Sequence, residues 1–440
     1  MPVQTLLLPT WLLPIRPART VWRDHAVLVE GERIVGVMPA AEAVDAYPEA
    51  EQVRLPGHVL MPGLINMHTH SPMALFRGMA DDLELDTWLK QHIWPAEQRW
   101  VSPDFVRDGT ELAMLEMLRA GTTAFNEMYF FPEVIAESAD AAGLRAMIGV
   151  PIIELETPWA KGLDDCLARA RDVVDQATDR PLLDVGLAPH AVYTVSDAAI
   201  SQVSRWSAEW DISVGIHLLE AGWERRYSED HHGMGALQWL HHHELTGDRL
   251  QTVHMVHVGP ADIELLVETG THVVHCPNSN LKLSSGIAPA SAMLEAGVNL
   301  CIGTDGAASN NRLDVLGEMR VASLLAKGSS GDPCTFDAHS ALEAVTLSAA
   351  RALRKGDELG SIEAGKQADL VAFDLRCPET QPVHDVASQM AYAAAASQCR
   401  HVWVAGRQVL KDGVATTLDE QAVLAKAREW NRRLASKEAE

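Results

Sequence analysis

The stretch "MPGLINMHTH", Met61 to His70, decides the fold. It is apolar as far as Met67 and then places His68 and His70 two residues apart. Side chains alternate between the two faces of a β-strand, so both imidazoles are expected on the same face. Two histidines directed at one point indicate a metal site at the end of a strand.

Seven further runs resemble this one in length and apolar character, and longer helical patterns separate them. Such alternation predicts parallel strands joined by crossover helices. The expected strands are residues 63–70, 122–129, 145–152, 183–190, 212–220, 251–258, 271–277 and 298–306. Eight units of this kind predict an α/β fold, a (β/α)8 TIM-like barrel.

The two ends of the chain have a different pattern. "HAVLVEGERIVGVMP" (25–39), "DLVAFD" (369–374) and "HVWVAGRQVLKDG" (401–413) are β-like runs broken by turns that contain glycine. Neither end alone is long enough for a stable sheet. We therefore expect a small β-sandwich domain made of residues 1–60 and 360–415, a barrel of residues 61–359, and a C-terminal helix over residues 416–440.

Composition excludes several classes of protein. Apolar residues make up 47% and charged residues 22% of the chain, as in ordinary globular proteins. The net charge of -24 would repel a phosphate backbone, so no nucleic-acid partner is expected. No apolar run approaches the roughly 20 residues of a membrane span.

Six scattered cysteines form no CxxC pair, which favours a reducing, cytoplasmic location. The composition does not decide whether the chain forms a homo-oligomer.

Polar residues lie where the predicted strands end, and in a barrel these ends surround the active site. His68 and His70 end the first strand, His190 the fourth, His217 with Glu220 the fifth, and Asp305 the eighth, while His254 and His257 lie on the sixth. Burying so many ionisable groups without partners is costly. A bound metal ion removes that cost.

The donor types select the metal. Neutral imidazoles with one carboxylate suit zinc, so the expected ligands are His68, His70, His217 and Asp305. Fe²⁺, Mn²⁺ or Co²⁺ are alternatives because they accept the same nitrogen and oxygen ligands. A zinc ion in such a site activates water as a nucleophile near neutral pH.

Hydrolysis at such a site also needs groups that move protons. Glu220 lies three residues after His217, where it can reach a substrate without binding the metal. Asp305 is expected to accept the first proton from water, and His254 to orient the nucleophile or stabilise charge. The alternatives are a solvated loop carboxylate for Glu220 and a hydrogen-bonded core histidine for His254. The roles of His257 and His275 stay open.

Four of these segments resemble the amidohydrolase superfamily, namely "MPGLINMHTH", "HLLE" (217–220), "HCPNSNLKL" (275–283) and "CIGTDGAASNN" (301–311). "FRGMADDLELDTWLKQHIWPAEQRW" (76–100) is similar to the branch of 5-methylthioadenosine/S-adenosylhomocysteine deaminases. The likeness extends into the small domain through "GSIEAGKQADLVAFD" (360–374) and "VAGRQVLKDG" (404–413). It therefore spans essentially the whole chain.

The resemblance implies hydrolytic deamination at C6 of an adenine nucleoside, with Glu220 protonating ring N1 and ammonia leaving. It also implies that Glu97 accepts hydrogen bonds from the ribose hydroxyls, that His190 contacts the substrate, and that Asp305 is shared between metal and substrate. Related barrels bridge two metal ions with a modified lysine after the fourth strand. Here "LDVGLAPHAVYT" (183–194) has no lysine, so one ion per subunit is expected.

Apolar residues after the first strand are candidates to cover the purine and exclude water, although aromatic residues at such spacing more often pack in the core. The candidates are Met73, Phe76, Trp88 and Trp94.

One segment departs from the family pattern. Members that accept S-adenosylhomocysteine hold its carboxylate with arginines after the third strand, whereas "PIIELETPWAKGLDD" (151–165) has only Lys161. Lysine lacks the bidentate fork of arginine. We therefore expect 5'-methylthioadenosine or adenosine to be preferred over S-adenosylhomocysteine.

Two other functions compete with this interpretation. A related amidohydrolase acting on a free base or a triazine, such as guanine, a pterin, cytosine or a chloro-triazine, would use the same zinc site, because fold and metal do not fix the substrate. Such a substrate has no ribose, so Glu97 discriminates the two. A non-catalytic barrel is the second alternative, but the presence of every candidate ligand and of Glu220 argues against it.

Overall fold

The computed structural model describes residues 4–176 and 180–436. Within them the strands are β1 (Gln4–Leu12), β2 (Trp22–Arg23), β3 (His25–Glu30), β4 (Arg33–Pro39), β5 (Glu51–Pro62), β6 (Leu64–Thr69), β7 (Thr122–Met128), β8 (Arg145–Ile152), β9 (Leu183–Pro189), β10 (Val214–Leu218), β11 (Leu250–His254), β12 (His272–His275), β13 (Leu300–Ile302), β14 (Leu370–Asp374), β15 (Cys399–Val404), β16 (Arg407–Lys411) and β17 (Val414–Ala415).

The α-helices in the same part of the chain are α1 (Ala40–Ala46), α2 (Leu85–Thr87), α3 (Trp94–Trp100), α4 (Pro103–Arg119), α5 (Pro132–Ala142), α6 (Leu163–Gln176), α7 (Asp197–Trp210), α8 (Gly222–His232), α9 (Ala236–His242), α10 (Pro260–Thr269), α11 (Pro277–Lys282), α12 (Ala290–Ala296), α13 (Val315–Ser330), α14 (Ala338–Ala344), α15 (Leu347–Ala352), α16 (Val386–Ser388) and α17 (Glu420–Ser436). Short 3-10 helices cover Ser71–Phe76, Pro378–Thr380 and Ala396–Gln398, and π-helical turns cover Trp88–Ile93 and Gln389–Ala393.

The strands from β6 to β13 form one eight-stranded sheet in which neighbours in sequence are neighbours in space. Every pairing within it is parallel. Helices follow the strands, as crossover connections require. The predicted (β/α)8 barrel is therefore confirmed, with all eight strands in the expected order.

The barrel is drawn together where its first and last strands meet. The backbone N–H of Asp305 donates to the carbonyl of His68 at 2.9 Å. The buried Asn66 side chain accepts from the N–H of Thr304 at 2.9 Å and donates to its hydroxyl at 2.8 Å. Gly303 allows this approach, because a Cβ built there would lie 2.6 Å from the Cβ and backbone nitrogen of His68.

Seven of the eight barrel strands end earlier than the sequence predicts, by one to four residues. Strand β10 ends at Leu218, β11 at His254 and β13 at Ile302, so Glu220 and Asp305 lie in the loops that follow. Leu219 and Met255, which directly follow β10 and β11, have φ angles of 52° and 47° that a pleated strand does not allow. Asp305, with a φ angle of 64°, interrupts the extended backbone within the predicted eighth strand. His257, which was predicted on the sixth strand, lies beyond the end of that strand.

Strands from both ends of the chain form the small domain, as predicted. They share one nine-stranded sheet in the order β17, β16, β15, β14, β5, β1, β3, β4, with β2 paired to β1. The central pairing of β1 with β5 is parallel, and β14 joins β5 from the C-terminal part of the chain. The predicted sandwich is thus built from one continuous mixed sheet.

A buried ion pair connects this sheet to the barrel. Arg145, which begins β8, donates two hydrogen bonds to the carboxylate of Asp369, at 3.0 and 3.1 Å. Asp369 also accepts the backbone N–H of Ala405 at 2.8 Å. Because further hydrogen bonds supplement the charge pairing, the pair offsets much of the usual cost of buried charge. It fixes the small domain beside the third barrel strand.

The C-terminal helix α17 packs on α4. Trp430 donates from Nε1 to Asp108 at 2.9 Å, and its ring contacts Phe105 with 5.2 Å between centroids. The last four residues of the predicted helix, 437–440, lie outside the described residues, as do residues 1–3 of the predicted small domain.

All six cysteines are free thiols, and the cytoplasmic location expected from them stays a prediction. None of the helices in the described residues has the length and apolar character needed to cross a membrane.

Gly303 gives a test of the way the barrel closes. Gly303→Ala should lower the free energy of unfolding by about 1–3 kcal/mol, the usual cost of overpacking, because the added methyl meets the His68 backbone. Gly328→Ala in helix α13 is the control, since its Cβ would have free space and alanine favours helices. Equal stability of the two variants in thermal melting would contradict this description of the seam.

Candidate active site

Four side chains converge at the C-terminal end of the barrel. The Nε2 atoms of His68 and His217 lie 3.1 Å apart. The Oδ1 atom of Asp305 lies 3.6 Å from Nε2 of His68 and 3.3 Å from Nε2 of His70. The structure therefore brings together all four residues that the sequence predicts as metal ligands.

Hydrogen bonds to the opposite ring nitrogens orient two of these histidines. Nδ1 of His70 donates to the carbonyl of Met128 at 2.5 Å, and Nδ1 of His217 donates to the carbonyl of His190 at 2.7 Å. Each bond places the proton on Nδ1 and leaves Nε2 with a free lone pair toward the cluster. Metal-binding histidines in proteins are held in this way.

The electrostatics of the cluster favour the ligand forms of its members. Burial lowers the pKa of His68 to about 4 and holds the pKa of His217 well below its usual value, so both imidazoles are neutral. Burial opposes ionisation of Asp305, yet the neighbouring His68 and His70 hold the pKa of its carboxyl well below the usual range. Two neutral imidazoles and a carboxylate suit a divalent cation.

The donor atoms fit a metal ion. The ligand atoms of His68, His70 and Asp305 lie within 4.8 Å of one another, and so do those of His68, His217 and His254. His254 differs from the others because its Nε2 lies 3.6 Å from the carboxylate of Glu220. Nitrogen and oxygen donors in this number match a catalytic zinc site.

Glu220 lies beside this cluster and is buried. Its carboxylate accepts a hydrogen bond of 3.4 Å from the Ser285 hydroxyl. Burial, reinforced by the nearby Asp305 carboxylate, raises the pKa of Glu220 to about 8. The loop after Glu220 is fixed by Glu224, whose buried carboxylate accepts the backbone N–H of Ala221 at 2.8 Å. Glu220 is therefore a carboxyl group that holds a proton at neutral pH.

His254 is oriented from the far side of the site. Its Nδ1 donates to Oδ1 of Asn280 at 2.9 Å, and its ring is stacked on that of His217 with 5.5 Å between centroids. The positive φ angle of 76° at His254 is uncommon for a residue with a side chain. Such strain is typical of functional positions.

Two adjoining cavities open beside the cluster. The smaller, of about 50 Å³, is lined by His217, Glu220, His254 and Asp305 among others. The larger, of about 210 Å³, is mostly apolar. Trp88 borders both of them, and its buried Nε1–H has no hydrogen-bond partner within the described residues, so it is available to a ligand.

Glu97 lies in the wall of the larger cavity. It is buried, although as a helical residue with polar neighbours it resembles a surface residue in the sequence. Tyr129 donates to its Oε1 at 2.8 Å. Burial raises the pKa of Glu97 to about 7, against the opposing effect of the Tyr129 hydroxyl. Its second oxygen is left for a ligand.

His190, the other predicted substrate contact, also lies at the site. His190 borders both cavities, and its Nδ1 lies 3.0 Å from the Thr194 hydroxyl, while burial lowers its pKa to about 3.

Of the residues expected to cover a purine, Met73, Trp88 and Trp94 line the larger cavity. Phe76 instead packs on Phe105, with 4.7 Å between ring centroids.

Sequence reasoning missed the residues that hold the ligands in place. Glu127 accepts from the Thr69 hydroxyl at 2.8 Å and from the Ser71 backbone at 3.0 Å, on either side of His70. Ser279 donates to Asp305 at 2.6 Å. The motif "HCPNSNLKL" drew attention to this segment through resemblance, but nothing in its spacing shows which side chain it contacts.

The two histidines with open roles lie apart from the ligands. Nε2 of His257 donates to the carbonyl of Ser285 at 2.8 Å and so fixes the loop beside Glu220. His275 is buried, and its Nδ1 has no hydrogen-bond partner within residues 4–176 and 180–436.

Comparison with known proteins gives the family. Residues 59–409 match the amidohydrolase family. The chain is 42% identical to a 5-methylthioadenosine/S-adenosylhomocysteine deaminase of Teredinibacter turnerae, over 97% of each chain. It is 36% identical to a 5'-deoxyadenosine deaminase of Methanopyrus kandleri, over 96% of this chain and 98% of that one.

A solved structure shows the same architecture. An adenosine deaminase from Xanthomonas campestris with bound zinc superimposes with a TM-score of 0.95 and 46% sequence identity, over 99% of each chain. The fold, the arrangement of donors and these similarities agree, and the chain therefore belongs to the amidohydrolase family, in the branch of the 5-methylthioadenosine/S-adenosylhomocysteine deaminases.

Proposed function

We propose that this protein catalyses the hydrolytic deamination of adenine nucleosides, converting the C6 amino group to a carbonyl with release of ammonia. The observation that carries the proposal is the position of Glu220, a buried carboxyl 3.6 Å from Nε2 of His254 and beside a cluster of metal donors, where burial raises its pKa to about 8. A ring nitrogen that must gain a proton as water adds to the adjacent carbon needs such an acid.

One zinc ion per subunit is part of this proposal, held by His68, His70, His217 and Asp305. When bound, zinc acts as a Lewis acid that makes water a nucleophile near neutral pH. Residues 183–194, which hold the fourth barrel strand and the turn after it, contain no lysine to bridge a second ion.

The protons are moved by Glu220 and Asp305. The ionised Asp305 accepts one proton from the attacking water, and Glu220 donates its proton to ring N1. Asp305 then passes its proton to the departing amino group, which leaves as ammonia. The remaining hydroxyl proton on the oxygen at C6 returns to Glu220, so both groups recover their initial states. His254, whose Nε2 lies 3.6 Å from the Glu220 carboxylate, stabilises the charge that develops on the substrate as water adds to C6.

Recognition of the ribose is assigned to Glu97. An ionised carboxylate accepts hydrogen bonds and cannot donate them, which suits the two hydroxyls of a ribose. Tyr129 occupies one oxygen of Glu97 and fixes its orientation. His190 and Trp88 border the passage between the two cavities and complete the contacts to the nucleoside.

A free base or a triazine fits the site less well. Such a substrate has no ribose, so Glu97, buried in the wall of the larger cavity, would have no hydroxyls to bind. Burying an ionised carboxylate is costly unless donors beyond Tyr129 hydrogen-bond to it. The nucleoside is therefore the better match.

The residues in the wall of the larger cavity also favour some groups over others at C5' of the ribose. Leu155, Glu156 and Pro158 line it, whereas Lys161 is exposed and is not among the lining residues. Glu156 would repel the carboxylate of S-adenosylhomocysteine. We therefore propose 5'-methylthioadenosine, 5'-deoxyadenosine or adenosine as the preferred substrates.

Removal of the Glu220 carboxyl group should strongly lower turnover without loss of bound zinc. Glu220→Gln is expected to lower kcat for 5'-methylthioadenosine at least about 100-fold, in the range usual for general acid catalysis. Zinc content, measured by elemental analysis, should stay at that of the wild type. Glu229→Gln, an exposed carboxylate nearby on helix α8, is the control and should retain full activity. Full activity of Glu220→Gln would rule out its assigned role.

The pH dependence of substrate binding tests Glu97. Because burial raises its pKa to about 7, the ionised, accepting form is lost as the pH falls through 7. The KM for 5'-methylthioadenosine should therefore rise below about pH 7. Glu97→Gln should raise the KM about tenfold and remove this limb of the profile.

The control for Glu97 is Asp104→Asn, whose side chain is 82% exposed on helix α4. It should change neither KM nor its pH dependence. An unchanged KM in Glu97→Gln would exclude ribose recognition by this residue.

Removing the charge of Glu156 tests the preference for an uncharged group at C5' of the substrate. We expect kcat/KM for 5'-methylthioadenosine to exceed that for S-adenosylhomocysteine at least tenfold, or about 1.4 kcal/mol. Glu156→Gln should narrow this ratio because it removes the repulsion. Asp104→Asn, at an exposed position of helix α4, is the control and should leave the ratio unchanged. A wild type that prefers S-adenosylhomocysteine would overturn the assignment.

A further inference from the structure

A buried carboxylate outside the active site connects two segments that carry polar residues of that site, namely helix α11 and the loop after β13. Glu318 lies in the first turn of helix α13 and is 1% exposed. Its Oε1 accepts the backbone N–H of Asn278 at 2.7 Å. Its Oε2 accepts the side-chain amides of Asn278 at 2.7 Å and of Asn310 at 2.8 Å. Three donors thus converge on one side chain.

Each of these donors belongs to a segment that contacts the reacting groups. Asn278 lies in the short helix α11, where Ser279 donates to Oδ2 of Asp305 at 2.6 Å and Asn280 accepts from His254 at 2.9 Å. The Asn310 amide also donates to the carbonyl of Thr304 at 2.7 Å. Thr304 directly precedes Asp305.

We propose that Glu318 is a positioning residue for the reaction, which fixes helix α11 against the loop after β13 and so sets the orientation of His254 and Asp305. This inference rests on the proposed deamination. Glu318 is not among the residues that line the cavities, and it acts through Asn278 and Asn310. Helix α11 is six residues long and has little stability of its own, which is why an external anchor is needed.

Glutamine is a sensitive probe of this role because it preserves size and removes acceptors. In Glu318→Gln one oxygen becomes an NH2 group, and in either orientation this donor faces another donor. A buried donor without a partner displaces its neighbours or costs their hydrogen bonds. Helix α11 should shift, and the Ser279 and Asn280 contacts should lengthen.

In Glu318→Gln we expect kcat to fall about 10-fold to 100-fold, as for other residues that orient metal ligands, and the KM for 5'-methylthioadenosine to change less than about threefold. Loss of zinc to a chelator should become about tenfold faster because Asp305 is less well oriented. This second measurement needs no substrate. It keeps the test valid if the wild type fails to deaminate nucleosides, an outcome that contradicts the proposed function alone.

Ser323→Ala is the matched control. Ser323 is buried in the same helix and donates to the carbonyl of Phe336 at 2.6 Å, away from both loops. It should lower the melting temperature without affecting kcat or zinc release. If Glu318→Gln behaves in the same way, its role is structural only and the proposal is wrong.

Asn278→Ala provides a second variant in case Glu318→Gln does not fold. It removes one donor and keeps the carboxylate, so its kcat should fall in the same direction. In the double variant, Glu318→Gln should cost less than it does alone, because part of its effect passes through Asn278. Fully additive losses would show that Glu318 acts independently of helix α11 and would overturn the proposal.

Discussion

The contact between Asp305 and His68 couples closure of the barrel to the arrangement of the metal donors. The backbone N–H of Asp305 closes the seam between the first and last barrel strands at the carbonyl of His68, at 2.9 Å. The carboxylate of the same residue faces the imidazoles of His68 and His70. One residue therefore closes the fold and completes the donor set, so a change that opens the barrel also disperses the ligands.

The contacts around the donors explain how the cost of burying them is offset. Ionisable groups buried together are unfavourable unless each has a partner. Here carbonyl groups satisfy the outer nitrogens of His70 and His217, and Ser279 and Gly306 donate to Asp305. The atoms that these contacts leave unsatisfied point inward, where a bound cation would neutralise the carboxylate. The proposed activity would thus depend on a layer of residues that do not touch the substrate.

The strands and the ligand types could be predicted from the sequence because both follow local rules. Alternation places His68 and His70 on one face, and strand ends in a barrel converge, so His217 and Asp305 could be added from position alone. The ends of the fifth, sixth and eighth strands were misplaced most consequentially, because the backbone takes positive φ angles at Leu219, Met255 and Asp305, which side-chain alternation does not reveal. Glu318 and Glu127 were missed because their partners are distant in sequence, and a buried carboxylate looks like any other glutamate in the sequence.

In the proposed reaction, water replaces the amino group at C6 of an adenine nucleoside. The most direct measurement is turnover of 5'-methylthioadenosine by the zinc-loaded protein in ¹⁸O-labelled water, with mass spectrometry of the nucleoside and assay of ammonia. We expect one labelled oxygen in the hypoxanthine ring and one ammonia for each substrate molecule consumed. An intact adenine ring for 5'-methylthioadenosine, adenosine and 5'-deoxyadenosine alike, with zinc bound, would contradict the proposed reaction.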